Sequence, residues 1–144
     1  VNAGNTQRST TFSAMPEGNA TQTVSVPLYK DNRFQKITGL QIQNVGSSAA
    51  GIVASFSCSG GATFTATSGT QTVQPGAAVL FFRPSTKPDL FTGGTPFSSD
   101  NVNCGVTVTA DQPIVAIANE SVTPESGFQQ DNNNYEGFNL ASTQ

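Results

Sequence analysis

Apolar and polar residues alternate along much of this chain with a period of two, as half-buried β-strands require. From Thr21 to Leu28, Val24, Val26 and Leu28 fall on one face and Thr23 and Ser25 on the other. Pro27 removes a backbone donor, which favours a sheet edge or a strand end there. A polar loop is predicted over 29–36. A second strand follows over 38–44, with Leu40 and Ile42 inward and Gln41 and Gln43 outward. The turn residues Val45-Gly46-Ser47-Ser48 lead into a run over 51–58 in which Ile52, Ala54, Phe56 and Cys58 share a face, so 38–58 reads as a hairpin.

Gly60-Gly61 interrupts that strand, and shorter strands are predicted over 62–67 and 70–73. After Gln74-Pro75-Gly76, the run Ala77 to Phe82 is apolar at every position. Val79 and Phe81 cannot face the same side as Leu80 and Phe82. Both faces of that strand must therefore be covered, or one face awaits a partner. Residues 83–103 hold three prolines and a Gly93-Gly94 pair and read as a long loop, with Leu90, Phe91 and Phe97 able to fold back onto the core. The run from Val102 to Ser121 reads as two strands joined by a turn at Asp111-Gln112-Pro113, the first with Cys104, Val106, Val108 and Ala110 on one face, the second apolar on both. A polar loop over 122–134 precedes a last short strand at 135–140, with Phe138 and Leu140 inward.

Seven to nine short strands with no segment of helical period predict an all-β fold, an antiparallel β-sandwich of Greek-key or jelly-roll kind. It occupies residues 21–144. Residues 1–20 form a polar arm too poor in apolar groups to fold alone. Within the arm, Ser9, Thr10, Thr11, Phe12, Ser13 and Ala14 are strand-compatible and free of proline. Such a segment can add to the edge of another sheet, and a frayed terminus is the bland alternative.

Composition narrows the function. Ser, Thr, Asn and Gln fill 56 of the 144 positions while charged residues make up 10%, a balance that suits a secreted β protein. The net charge is −3, and the six basic residues, Arg8, Lys30, Arg33, Lys36, Arg83 and Lys87, are scattered. No concentrated basic face offers itself to nucleic acid, and the group at 30–36 reads as a solvated loop. No apolar run approaches the roughly 20 residues of a membrane-spanning helix. A start at Val1 fits a signal peptide already removed, and trimming for any other reason gives the same start. The two cysteines, Cys58 and Cys104, lie on inward strand faces, and an even count in a chain of this kind predicts one disulfide.

Candidate chemistry is sparse. The chain has no histidine, which removes Ser-His-Asp and Cys-His catalysis together with imidazole-ligated metal sites. Asp111, Glu120, Glu125, Asp131 and Glu136 could supply a pair of carboxylates for glycoside hydrolysis, but their spacing does not demand one. With no tryptophan and only Tyr29 and Tyr135, a sugar cleft lacks its usual aromatic lining, and the chain is expected not to be an enzyme and to need no cofactor. Asp131, Asn133 and Glu136 form a loose run of oxygen ligands for calcium that misses the EF-hand spacing, with a solvated loop as the alternative. Asn19 and Asn119 head glycosylation sequons.

The segments PLYK (27–30), TGLQIQNVGSSA (38–49), QPGAAV (74–79), TADQPIVAIANE (109–120) and YEGF (135–138), in that order, resemble a β-sandwich module of secreted bacterial cell-surface proteins, often found in tandem. The likeness spans about 21–140 and rests on strand and turn motifs. It implies a non-catalytic extracellular role and transfers no functional residue. A single module behind a strand-compatible arm departs from the tandem pattern and points to a filament subunit at the cell surface that binds other copies of itself by donating the arm. A carbohydrate-binding or adhesive module recognising surface glycans and a viral coat or decoration protein are the rival readings.

Overall fold

The computed structural model describes residues 21–122, 133–136 and 138–139. The arm, with Ser9–Ala14 and Asn19, lies outside them, as do Glu125, Asp131 and Leu140. Nine strands run through the described residues: β1 (Thr21–Asp31), β2 (Lys36–Asn44), β3 (Ala50–Gly60), β4 (Phe64–Thr67), β5 (Gln71–Val73), β6 (Ala78–Phe82), β7 (Val102–Val122), β8 (Asn133–Glu136) and β9 (Phe138–Asn139). All pairings are antiparallel, and the sheet curls on itself into two leaves. One leaf holds β4 and β5 beside β3, then the first half of β7, β1 and β9. The other runs β6, β2, the second half of β7, and β8. The protein is an all-β antiparallel sandwich, as the alternation predicts.

The largest difference from the sequence reading is β7. The expected hairpin at Asp111-Gln112-Pro113 is instead one strand of 21 residues that leaves one leaf and enters the other. Its ladder with β3 ends at Ala110, and its ladder with β2 begins at Ile114. Against β1, β7 advances from Thr109 to Ile114 while β1 moves only from Thr23 to Thr21. The turn chemistry is spent on a bulge: Pro113 offers no N–H but accepts from Val45 N–H at 3.0 Å, and Asp111 Oδ1 accepts from Gly51 N–H at 2.8 Å. The expected β2–β3 hairpin is likewise a crossover between leaves. Buried Asn44 holds it, donating from Nδ2 to Ser48 O (2.8 Å) and Val73 O (2.9 Å) and accepting Gly46 N–H on Oδ1 (2.9 Å).

Strand β1 departs from clean alternation. Its register against β7 slips by one residue between Val26 and Tyr29, where Pro27 cannot donate to the ladder. The slip turns Leu28 outward, 42% exposed, and carries Tyr29 into the core. Tyr29 Oη donates to Phe81 O at 2.9 Å, tying the leaves together, and its ring meets Phe56 edge-on at 5.4 Å. Phe56 is the hub of the core: Phe81 lies 6.0 Å away, Phe91 5.9 Å and Phe97 5.4 Å between ring centroids. Phe91 and Phe97 come from the segment 83–101, which folds back as expected, with short 3-10 turns at Pro84–Thr86 and Pro88–Phe91. That segment crosses Ser68-Gly69 so closely that a methyl at Gly69 would overlap the Thr92 carbonyl and one at Gly94 that of Thr67.

The inward faces read from the sequence hold for Leu40, Ile42, Ile52, Ala54, Phe56 and Cys58, all buried. Cys58 stands opposite Cys104 in the β3–β7 register, and the two form the disulfide with Cα atoms 4.1 Å apart. The last strand expected at 135–140 is split: Asn133–Glu136 pairs with β7, and Phe138–Asn139 pairs with β1. Replacing both cysteines, Cys58→Ala with Cys104→Ala, reopens a loop of sequence separation 46 and is expected to cost about 4 kcal/mol of unfolding free energy. The loss should register as a lower urea midpoint, and a reducing agent should shift the parent protein but not the variant.

Candidate functional site

Two regions of the sandwich stand apart, one charged and one apolar. The charged one lies where the far end of β7 meets the β1–β2 connection. Glu120, 5% exposed, receives Lys30 Nζ on Oε2 at 3.0 Å and Lys36 Nζ on Oε1 at 3.2 Å. Its backbone stands opposite Thr38, whose Oγ1 accepts Lys30 N–H at 2.9 Å. Burial by itself raises the Glu120 carboxyl, but hydrogen bonds from Lys30 and Lys36 and their positive charges together outweigh it and hold the group below its ordinary value. Nearby, Asp31 is fully buried, accepts Ser85 N–H at 2.9 Å and faces Arg83 Nε at 3.6 Å, while Arg83 reaches Asp100 at 3.8 Å. The basic group at 30–36 is thus not a solvated loop: Lys30 and Lys36 neutralise a buried carboxylate. Neighbouring strands bring these residues together across a wide gap in sequence, so spacing gives no sign of it.

The cluster does not bring Asp111 to Glu120. Asp111 sits at the leaf switch and Glu120 nine residues further along the same strand, roughly 30 Å away at strand rise, so they form no catalytic pair. Among the described residues no group of three His, Cys, Asp or Glu is placed to hold a metal. Asn133 and Glu136 of the calcium run lie on β8, in a strand rather than a loop, with their backbones opposite Glu120 and Ile117. Asn119 is half-buried on the outer face of the second leaf, between Gly39 and Asn134. A shallow depression at the leaf switch is lined by Val45, Gly46, Ser47, Gln112 and Pro113 and carries no titratable group.

The apolar region is β6 and the outer face beside it. Phe81 points inward and is fully buried, while Leu80 and Phe82 point outward, 54% and 38% exposed. Gln41 separates Leu80 from Ile117, and Gly39 separates Phe82 from Asn119, across the same face. The apolar run at 77–82 therefore has one face in the core and the other open, the second of the two outcomes its pattern allows. Among the described residues strand β6 is also an edge, paired with β2 and with no other strand. Asn44 N–H donates to Ala77 O and Val45 N–H to Pro113 O. Alternation from these two bonds directs the amide groups of Val79 and Phe81 at β2 and those of Ala78, Leu80 and Phe82 away from the sheet.

Among the described residues, the edges at β4, β5, β8 and β9 offer less. At β4, Thr67 exchanges two hydrogen bonds with Thr95, N–H to O at 3.1 Å and the reverse at 2.8 Å, which covers that end. Strands β5, β8 and β9 have three, four and two residues, short enough to blunt an edge.

No family model and no curated protein matches the chain. A solved structure, Thermotoga maritima 1070, is similar over 83% of this chain and 95% of that one, with a TM-score of 0.56 at 10% sequence identity. At that identity the likeness is one of fold. No helix among the described residues is long and apolar enough to cross a membrane.

The charged cluster yields a pH prediction with a definite sign. Because the folded-state value of Glu120 is lowered, its contribution is complete above the ordinary value of 4.5 and is lost as pH falls through the lowered one. Glu120→Gln should cost roughly 1–2 kcal/mol at neutral pH, discounted for the half-exposed Lys36. Urea unfolding from pH 7 down to pH 3 should show the parent losing its advantage over the variant as the medium turns acidic, with the two curves converging at the acid end.

Proposed function

We propose that this protein is a structural subunit of an extracellular filament or surface assembly, joined to its neighbours by a β-strand that the arm of one copy donates to the sheet of the next. The observation that carries the reading is the open apolar outer face of the second leaf, Leu80 and Phe82 above all, in a domain preceded by 20 mostly polar residues that include the strand-compatible Ser9–Ala14. A face of that kind on a soluble sandwich marks an interaction surface.

Other features support it. The disulfide suits an oxidising compartment outside the cytoplasm. The resemblance of the strand and turn motifs to secreted bacterial surface modules points the same way. The charged groups of the Glu120 and Asp31 clusters are engaged with one another at one end of the core, in an arrangement suited to stability rather than turnover. Donation of one arm per subunit is a head-to-tail contact, which propagates as a fibre unless the rotation closes.

Electron microscopy of the purified native chain should show filaments, and deleting residues 1–18 should leave single subunits. Filaments that persist after the deletion would overturn the strand-donation reading.

A further inference from the structure

We infer that the acceptor of the donated strand is the free edge of β6, and that Ser9–Ala14 of a second copy pairs there with the amide groups of Ala78, Leu80 and Phe82. This rests on the strand-donation reading above and adds the docking position. Three observations carry it. The outward-directed amides of Ala78, Leu80 and Phe82 are unpaired by any described strand, so a new strand can satisfy them without disturbing the ladder to β2. The edge has five residues and the donor segment six, and neither holds a charge, a glycine or a proline. An uncharged edge with large exposed apolar groups lacks the devices that keep strands from pairing.

The faces match as well. Phe12 shares its side of the donor with Thr10 and Ala14 by strand alternation. The inner side of β6 is already filled by buried Phe81, whereas Leu80 and Phe82 are open on the outer side. Phe12 therefore packs beside Leu80 and Phe82, extending the outer face by one row, and Ser9, Thr11 and Ser13 take the other side. Pro16 ends the donor because it cannot continue a ladder. Residues 15–20 remain as a link of roughly 20 Å at full extension before β1 begins at Thr21.

The test uses full-length variants. Leu80→Pro removes an N–H that points away from β2, a substitution an edge strand tolerates, so the subunit keeps its disulfide and its thermal unfolding while losing the acceptor. Leu80→Ala keeps the N–H and serves as the conservative partner. Thr11→Pro with Phe12→Pro disables the donor in either register, since one of two adjacent amides must face β6. Pelleting should show at least tenfold less polymer for Leu80→Pro and for the double-proline arm, with Leu80→Ala still polymerising. Mixing the two defective variants one to one should give two-subunit particles by mass photometry, the intact arm of one seated on the intact edge of the other. Should Leu80→Pro fail to fold, Leu80→Lys with Phe82→Lys takes its place, closing the edge with charge. Polymer from the folded edge variants at parental levels, with the arm variant defective, overturns β6 as acceptor and leaves strand donation standing. Polymer from the arm variant, or none from the parent, overturns the donation reading and this inference with it.

Discussion

One strand belongs to both leaves, and that constraint organises the rest of the sandwich. A β-strand has only two hydrogen-bonding edges, and β7 uses both over much of its length, first with β3 and β1, then with β2 and β8. The bulge at Asp111–Pro113 lets it do so, because extra residues in one strand bend it and sharpen its twist. Once β7 is bent, the core must close around it. The Phe56 cluster fills the space between the leaves, and the Tyr29–Phe81 hydrogen bond fixes how far apart they stand. The disulfide secures the other end of the same strand, where Cys104 meets Cys58.

The two ends of the molecule solve the problem of polar groups in different ways. Around Glu120 the chain buries a charge and supplies two lysines, one from each strand flanking the 32–35 connection. A buried carboxylate without them would be costly. Along β6 there is no charge to satisfy, only backbone amides and apolar side chains directed outward. The first arrangement is complete within one chain. The second is incomplete in chemical terms, since an open strand edge and an apolar face both gain by covering.

Much of this was legible in the alternation of the sequence, and the failures have physical causes. Ile52, Ala54, Phe56 and Cys58 face inward because β3 runs regularly. Leu28 does not, because the slip at Pro27 exchanges its side with that of Tyr29, and a period-two pattern carries no mark of a bulge. Asp111-Gln112-Pro113 has the composition of a turn, and the bulge in β7 uses the same residues. The β2–β3 connection reads as a hairpin since local turn signals do not say which leaf the next strand joins. For β6 the run Ala77 to Phe82 left two outcomes, both faces covered or one face open, and period-two alternation could not choose between them; the structure buries Phe81 and leaves Leu80 and Phe82 exposed. The pairing of Lys30 and Lys36 with Glu120 was hidden, as residues 90 and 84 positions apart meet only after the sheet has formed.

Strand β1 begins at Thr21, directly after the arm, and runs antiparallel beside β7 to Asp31. In a subunit linked through that arm, tension enters β1 along its own axis. The β1–β7 hydrogen bonds lie across that direction, so the load is shared by the whole ladder in shear instead of opening it one bond at a time from an end. Near the far end of the ladder, Cys104 is opposite Tyr29 on one side and bonded to Cys58 on the other. Force reaching β7 there would pass into β3 through a covalent link, so under the proposed strand donation the leaf holding β1 is the one that would carry the load.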